Sequence, residues 1–272
     1  SQVVTDVDCN GSFTGDIDIT ITGGTTPFTY SWTGPNAYTA TTEDISGLEA
    51  GTYDVLVTDS VGCLINASIS VGEPAVLALT STQVDATCNG NTDGSINLNV
   101  SGGSVSYTYS WTGPNSFTAT TEDISTLEAG TYDVVVTDSL GCNETLQVEI
   151  TQPNAVTGVI IGTNVSCNGD ATGAADLTPA GGDSTYIFTW VGPNSFTSGL
   201  EDLTGLEAGT YDVTITDGNT CTGTAQVVIT EPLVIALTPA SVNSNCGQSD
   251  GEVSVVATGG SVAGGYTYLW QD

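Results

Sequence analysis

Cysteine is the most regularly spaced reactive residue in this sequence. The seven cysteines fall into two series with a spacing of 79 residues: Cys9, Cys88, Cys167 and Cys246, and Cys63, Cys142 and Cys221. The sequence has no histidine and no Cys-x-x-Cys pair, which are the usual signs of a zinc site. The cysteines therefore predict disulfides formed in an oxidising compartment, with free buried thiols as the alternative.

Carboxylates are the second group of residues that could do chemistry. There are 31 aspartates and glutamates and no lysine, arginine or histidine, so the formal net charge is −31. The acids recur at matching places in each 79-residue interval: Glu43, Asp44, Glu49, Asp54 and Asp59; Glu122, Asp123, Glu128, Asp133 and Asp138; and Glu201, Asp202, Glu207, Asp212 and Asp217. We expect them to form a solvated, mutually repelling surface.

Calcium binding is the alternative interpretation of these acids. Ca²⁺ prefers hard oxygen ligands, and nothing else in the sequence offsets the negative charge. The calcium candidates are acids expected at joints or loops: Glu43, Asp44, Asp59, Glu122, Asp123 and Asp138. No other cofactor is expected.

The missing residue types argue against catalysis and against nucleic-acid binding. Without histidine, lysine or arginine the common triads, Schiff bases and phosphate clamps cannot form. A carboxylate dyad needs two convergent acids in a cleft, whereas these acids repeat without a unique constellation. Phosphate-neutralising cations are absent, and no apolar stretch approaches the roughly 18 residues that a membrane span needs. We predict that the chain is not an enzyme, binds no nucleic acid and does not insert directly into a membrane.

The elements that position these residues are tandem copies of one unit. The 79-residue interval also separates Pro74, Pro153 and Pro232, and Trp32, Trp111 and Trp190, while Trp270 arrives one residue late. The predicted repeats are 1–73, 74–152, 153–231 and a truncated fourth repeat, 232–272, after which we expect the parent protein to continue.

Each repeat is predicted to be an immunoglobulin-like β-sandwich. Apolar residues alternate with polar ones in short runs, as in Tyr53, Val55 and Val57, and Gly/Pro/Asn turns separate the runs. The expected core markers are the four tryptophans and the tyrosines that open a later strand in the manner of a tyrosine corner: Trp32, Trp111, Trp190, Trp270, Tyr53, Tyr132 and Tyr211. The fold class is therefore all-β, with tandem sandwiches forming an elongated rod.

Of two disulfide patterns, the geometry of this fold favours the one that joins neighbouring repeats. The first cysteine precedes strand B and the second follows strand F, so a strand of about eight residues, roughly 27 Å, separates them within one repeat, far more than the roughly 7 Å limit on the Cα separation in a disulfide. A staggered pattern would join neighbouring repeats through Cys9–Cys142 and Cys88–Cys221, leaving Cys246 in the truncated repeat. The alternative pairs cysteines within repeats: Cys9–Cys63, Cys88–Cys142 and Cys167–Cys221.

The order of motifs resembles the SprB-type repeat. In the first copy the series is Cys-Asn-Gly at 9–11, Gly-Gly at 23–24, Thr-Tyr-Ser-Trp at 29–32, Leu-Glu-Ala-Gly-Thr-Tyr-Asp-Val at 48–55, Thr-Asp-Ser-Val-Gly-Cys at 58–63 and Glu-Pro at 73–74. The resemblance covers essentially the whole chain. It implies a large surface adhesin of gliding and related Bacteroidetes, exported by the type IX secretion route and moved along the cell surface.

Two sets of residues are candidates for sugar binding or for sugar attachment. Tyr38, Phe117 and Phe196 follow each Gly-Pro-Asn turn. We expect them to plug the sandwich edge, and a sugar-stacking platform is the alternative. Ser60, Ser139 and Ser184 resemble the Asp-Ser/Thr-hydrophobic sites at which Bacteroidetes attach O-glycans.

The expected function is structural. We predict an extracellular, cell-surface stalk or adhesin segment that spaces and multivalently presents adhesive surface. The alternatives are a carbohydrate-binding repeat module and a self-assembling extracellular filament subunit. The expected partners are other repeats of the same protein and surface glycans or solid substrata.

Overall fold

The computed structural model describes residues 1–261 and 265–271 of the chain. Its regular structure is antiparallel β-sheet with three single 3₁₀ turns, at Pro35–Ala37, Pro114–Ser116 and Pro193–Ser195. Strands form where apolar residues alternate with polar ones: Tyr53, Val55 and Val57 are buried, whereas Asp54 and Leu56 between them are exposed. This alternation is what a strand with one face on a core requires.

Repeat 1 has seven strands in two sheets. They are β1 Gln2–Thr5, β2 Gly15–Ile19, β3 Thr29–Thr33, β4 Thr39–Ala40, β5 Ile45–Leu48, β6 Gly51–Thr58 and β7 Leu64–Val71. One sheet has the order β1-β2-β5 and the other has the order β4-β3-β6-β7. In immunoglobulin letters these are the sheets A-B-E and C′-C-F-G, so the predicted all-β, immunoglobulin-like fold is confirmed.

Repeats 2 and 3 have the same topology. The strands of repeat 2 are β8 Ala78–Val84, β9 Gly94–Ser101, β10 Thr108–Thr112, β11 Thr118–Ala119, β12 Ile124–Leu127, β13 Gly130–Thr137 and β14 Asn143–Ile150. Those of repeat 3 are β15 Thr157–Thr163, β16 Gly173–Ala180, β17 Tyr186–Val191, β18 Thr197–Ser198, β19 Leu203–Leu206, β20 Gly209–Asp217 and β21 Thr222–Ile229. The first, second and fifth strands pair in one sheet and the other four pair in the second sheet.

Each of these repeats has its own hydrophobic core. Three separate clusters of buried residues span 7–71, 96–150 and 156–229, each within one predicted repeat. The largest fully buried side chains are the tryptophans of strand C: Trp32, Trp111 and Trp190. Each indole N–H donates to a backbone carbonyl, at 2.9 to 3.0 Å, so the indole is buried with its polar atom satisfied.

The fourth repeat corrects one expectation. Its strands in the described part of the chain are β22 Ala236–Val242 and β23 Glu252–Thr258, which pair with each other. Trp270, expected as a core residue, is 62% exposed. Among residues 232–261 and 265–271 no second sheet covers this indole, because only the β22–β23 pair forms.

By density of contacts the chain divides into two compact units. The first comprises residues 1–86 and 90–151, and the second comprises residues 87–89 and 152–272. The first therefore contains two complete cores, and the second contains the core of repeat 3. No helix in the described residues is long and apolar enough to cross a membrane.

Candidate functional site: the crosslinked repeat junction

Two disulfides join cysteines of the two series across repeats. Cys9 is bonded to Cys142 and Cys88 is bonded to Cys221, each pair 133 residues apart in sequence. The Cα–Cα separations are 5.7 and 5.5 Å, which lie in the ordinary range for disulfides. The structure therefore brings together the staggered pairs and not the pairs within one repeat.

The remaining three cysteines are unpaired and exposed: Cys63, Cys167 and Cys246. The same interval of 133 residues explains why they differ from the other four. A position 133 residues before Cys63, or 133 residues after Cys167 or Cys246, lies outside the 272-residue sequence. These three cysteines therefore occupy the same places in their repeats as the bonded cysteines, but the sequence contains no cysteine 133 residues away to pair with them.

An aspartate in the turn between strands F and G positions the second cysteine of each repeat. In repeat 2, Asp138 Oδ1 accepts hydrogen bonds from the backbone N–H of Leu140 and Cys142, at 3.0 and 2.9 Å. Asp138 Oδ2 accepts a third, from the N–H of Ser104 in the loop between strands B and C, at 2.8 Å. One carboxylate thus ties the cysteine-bearing turn to the neighbouring loop.

The same arrangement recurs in repeats 1 and 3. Asp59 accepts from the N–H groups of Thr25, Val61 and Cys63, and Asp217 from those of Asp183, Asn219 and Cys221. The N–H of Ser104 lowers the pKa of Asp138 most strongly, and that of Cys63 lowers the pKa of Asp59. Donors aimed at a carboxylate favour its charged form, so these acids are structural acceptors.

The Cys-Asn-Gly loop binds the junction between its own repeat and the next one. Asn10 Nδ2 donates to the carbonyl of Pro74 at 3.0 Å, and the N–H of Gly11 donates to Glu73 Oε2 at 3.0 Å. Repeat 3 has the same two bonds, from Asn168 to Pro232 and from Gly169 to Glu231. In repeat 2, Asn89 Nδ2 donates to the carbonyl of Pro153 at 3.2 Å.

These contacts explain two motifs to which the sequence reasoning gave no role. Gly11 has φ +73° and Gly169 has φ +78°, in the left-handed region that favours glycine. The asparagine and the glycine hold the Glu-Pro junction beside the disulfide. Cys-Asn-Gly and a junction proline recur together in every complete repeat, with Gln152 in place of glutamate before Pro153, and this recurrence was the sequence signal that linked them.

The other recurring acids also have fixed partners. The carboxylates of Asp44, Asp123 and Asp202 accept from the backbone N–H of Ile19, Leu98 and Leu177, at 2.9 to 3.0 Å. Glu49 Oε1 accepts from Asn36 Nδ2 at 2.6 Å, and the equivalent pairs occur in repeats 2 and 3. Asp44, Asp123 and Asp202 are exposed, as expected for a solvated acidic surface, and their carboxylates also satisfy donors of neighbouring loops.

The calcium candidates are dispersed in the structure. Among residues 1–261 and 265–271, no three acidic or cysteine side chains converge as a metal-binding group would. Glu43 and Glu122 instead lie near the hydroxyls of Tyr30 and Tyr109. Burial, followed by the charge of the nearby glutamate, raises the pKa of each of these tyrosines.

The aromatic residues after the Gly-Pro-Asn turns pack against the tyrosine corners. Tyr38, Phe117 and Phe196 meet Tyr53, Tyr132 and Tyr211 edge to face, each with ring centroids 5.3 Å apart. The corner hydroxyl donates to the backbone carbonyl four residues earlier, as Tyr53 does to Glu49 at 3.0 Å. The structure thus places these aromatics at the sandwich edge, half-buried.

The three glycosylation candidates are exposed but do not share one location. Ser60 and Ser139 lie in the turns between strands F and G, beside the cysteines. Ser184 lies in the loop between β16 and β17, with φ +68°. O-glycosylation stays a prediction at all three serines.

Comparison with known proteins gives a family match. The chain matches the model of the family described as SprB repeat over residues 1–37, 80–116, 161–195 and 238–272, together more than half of its length. Among curated proteins, none matches the chain.

Solved structures similar to the chain are tandem immunoglobulin domains. A Dscam structure concerning isoform specificity is 10% identical, with 84% of this chain and 72% of that chain covered and a TM-score of 0.24. Extracellular domains 3–5 of Drosophila OTK are 12% identical, with 80% and 90% covered and a TM-score of 0.25. A complex of Dpr2 Ig1–Ig2 with DIP-Theta Ig1–Ig3 is 9% identical, with 84% and 98% covered and a TM-score of 0.27.

Proposed function

The chain belongs to the SprB repeat family, and from that premise we propose that it is a tension-resisting stalk segment of an extracellular, cell-surface adhesin. The observation that supports this role is the pair of disulfides that join different repeats. Bonds of this kind form in oxidising compartments, which agrees with a location outside the cell. Transport by type IX secretion and a part in gliding are what the family resemblance adds to the proposal.

The staggered disulfides change the path that a pulling force takes through the chain. In an uncrosslinked array the force passes along the backbone, so each unfolding repeat releases its full length. Here the shortest covalent route from Ser1 to Asp272 passes through both bonds, so residues 10–87 and 143–220 lie outside the path of the force. Unfolding of the bypassed strands then adds little length, which suits a stalk under load.

The disulfides also stabilise the folded repeats. Each closes a loop of 133 residues, and in the chain-entropy treatment a loop of this size is worth about 4 to 5 kcal/mol. The acid-rich surface contributes in another way, because a net charge of −31 without any basic side chain disfavours collapse of one stalk onto another.

Adhesion itself is proposed to come from multivalency. Repeats presented at a constant spacing can sum many weak contacts with surface glycans or solid substrata. The proposal assigns no sugar site to Tyr38, Phe117 or Phe196, because each ring already packs its edge against a corner tyrosine.

Single-molecule pulling of the oxidised and reduced chain tests the stalk proposal. A force-resisting role requires that reduction greatly increases the length released on unfolding. A glycan array probed with the same chain addresses the main alternative. Specific glycan binding that is lost in Tyr38→Ala, Phe117→Ala and Phe196→Ala, together with equal released lengths before and after reduction, would replace the stalk with a carbohydrate-binding module.

A further inference from the structure

The junctions join cysteines that are not neighbours along the chain. Cys63 and Cys88 both lie between Cys9 and its partner Cys142. Each junction bond closes a loop of 133 residues, whereas Cys63 and Cys88 are only 25 residues apart. In a flexible chain the shorter loop closes about twelve times more readily, because the probability of closure falls with the three-halves power of loop length. An unfolded chain would therefore favour other pairs.

The cores of repeats 1 and 2 are complete without a cysteine. Within residues 1–152, all of which the structure describes, the clusters of buried residues and the apolar residues packed against them include none. In repeat 3, Cys221 belongs to the buried cluster and Cys88 packs against it. Since hydrophobic burial is the main force that folds such sandwiches, we expect the repeats to fold with their cysteines reduced.

Folding of a repeat also separates its own two cysteines. Asn10, which follows Cys9, contacts Pro74 beyond the end of β7, whereas Cys63 lies just before the start of that strand. The eight residues of β7 span roughly 27 Å, far more than the roughly 7 Å limit on the Cα separation in a disulfide. A folded repeat therefore cannot form the pair Cys9–Cys63, although an unfolded one can.

Hydrogen bonds connect the two cysteines of the first junction without help from the crosslink. They lead from the loop of Cys9, through the junction segment and the Gly-Gly loop of repeat 2, to the turn that carries Cys142. With the donor first, the links are Asn10 to Pro74, Gly103 to Ala75, Ser104 to Asp138 and Cys142 to Asp138, at 3.0, 2.8, 2.8 and 2.9 Å.

The second junction has the same chain of hydrogen bonds. Its links are Asn89 to Pro153, Gly182 to Asn154, Asp183 to Asp217 and Cys221 to Asp217, at 3.2, 2.9, 3.2 and 2.8 Å. In both junctions the sulfur of the second cysteine also lies beside a carbonyl oxygen of the residue before the first. These distances are 3.2 Å from Cys142 Sγ to Asp8 and 3.3 Å from Cys221 Sγ to Thr87. A thiol at this place can donate to the carbonyl, which holds the reduced sulfur next to its partner.

We propose that each folded junction directs its own oxidation. Neighbouring repeats fold and pack together with reduced cysteines, and an external disulfide then closes the bond between the two cysteines that packing has brought together. Asp138 and Asp217 are positioning residues in this step, because their carboxylates hold the cysteine-bearing turn against the neighbouring loop. The bonds are thus made by a thiol–disulfide exchange reaction that acts on folded repeats and not on the unfolded chain. The inference is independent of the stalk's mechanical role.

The exchange has two steps. The thiolate of one cysteine attacks the external disulfide, forms a mixed disulfide and releases one thiol. The thiolate of the second cysteine then attacks the protein sulfur of the mixed disulfide, and the second thiol leaves. Together the two cysteines lose two protons and two electrons, which the external disulfide gains. In the second junction Cys221 is 7% exposed and Cys88 is half-buried, so the first step is expected at Cys88.

Refolding of the reduced chain tests the order of folding and oxidation. After dilution from denaturant into reductant, the buried tryptophans should regain their folded-state fluorescence while mass measurement still counts seven thiols. Bis(2-hydroxyethyl) disulfide is then added, because an uncharged oxidant is not repelled by the net charge of −31. Fragments cut at acidic residues should contain the pairs Cys9–Cys142 and Cys88–Cys221.

The same oxidation in concentrated guanidinium is the control. There the pairs Cys63–Cys88 and Cys142–Cys167, each 25 residues apart, should each exceed Cys9–Cys142 about twelvefold. A reduced chain that stays unfolded would overturn the proposal. So would a denatured chain that yields the junction pairs as readily as the folded chain does.

A variant with an internal control tests the positioning role. Asp138→Asn should slow formation of Cys9–Cys142 in the folded chain about fivefold, which is the effect of one ordinary hydrogen bond on an equilibrium, and should leave Cys88–Cys221 unchanged. Repeat 2 carries both Cys88 and Cys142, so a general loss of its stability would slow both bonds. Asp217→Asn should give the converse result. Equal slowing of both bonds, or no slowing in either variant, would overturn the positioning role.

A second matched pair of variants changes exposed side chains outside the cores. Asn10→Ala and Asn89→Ala each remove the first link of one hydrogen-bond chain. Asn10→Ala should slow only Cys9–Cys142, and Asn89→Ala should slow only Cys88–Cys221. If both variants oxidise at the rate of the unaltered chain, the junction does not direct its own oxidation.

Discussion

The length of chain released by force is the sharpest consequence of the staggered disulfides. When every repeat is unfolded but both bonds remain, the shortest covalent route runs from Ser1 to Cys9, back from Cys142 to Cys88, and on from Cys221 to Asp272. This route contains about 110 residues and extends to about 400 Å at roughly 3.4 Å per residue. The reduced chain of 272 residues extends to about 900 Å.

Force spectroscopy of the chain held by its two ends measures these lengths directly. Reductant should therefore slightly more than double the fully extended length. The double variant Cys9→Ser, Cys142→Ser keeps only the second bond, leaves a route of about 140 residues, and should extend to about 470 Å without reductant. Equal lengths before and after reduction would refute the crosslinked force path.

The extended length of the oxidised chain does not distinguish the two pairing patterns, because it is nearly the same in both. The variant Cys63→Ser distinguishes them. In the staggered pattern Cys63 is unpaired, so its substitution leaves the oxidised length unchanged. If Cys63 were bonded to Cys9, the substitution would return 54 residues to the force path and add about 180 Å. A gain of that size would show that the disulfides form within repeats.

Three further predictions concern the residues that build the junction and the sandwich. Asp138→Asn should lower the melting temperature by several degrees near neutral pH, because an amide cannot accept all three N–H groups that the carboxylate accepts. The pKa of Asp138 lies below its usual value of 3.8, so this stabilisation is complete above pH 3.8 and is lost as the pH falls through the folded-state pKa. Calorimetry at pH 7 and at pH 2.5 checks this, and an equal loss at both values would contradict it. Tyr53→Phe removes the corner hydrogen bond and should cost about 1 kcal/mol in chemical denaturation. Tyr38→Phe, which restores the residue type of Phe117 and Phe196, should change stability by less than about 0.5 kcal/mol, and similar losses in both variants would argue against the corner bond. Alkylation without reductant should modify the three unpaired cysteines, which are Cys63, Cys167 and Cys246. Mass mapping that finds adducts on Cys9 or Cys88 would contradict the bonding pattern.

Much of the fold is determined by local sequence pattern. The alternation of Tyr53, Val55 and Val57 with polar neighbours needs only the period of a strand to predict an inward row. The 79-residue spacing of the tryptophans then predicts that the same core is built repeatedly. The exception is Trp270, whose exposure depends on which strands surround it and not on its own neighbours in sequence.

The pairing of the cysteines and the roles of the acids were decided by tertiary structure. Spacing alone is compatible with Cys9–Cys63 and with Cys9–Cys142; the geometry of the predicted fold favours the second pair, and the approach of two repeats brings it within bonding distance. The sequence around Asp138 does not distinguish it from other surface acids. Its role follows from the fold, which places the backbone N–H of Ser104, 34 residues away, within hydrogen-bond distance of its carboxylate. Sequence by itself therefore determined the strands, the repeat and the residue types available for chemistry, because these depend on local periodicity. Tertiary structure decided the contacts at the junction, because they depend on distances between residues that are far apart in the sequence.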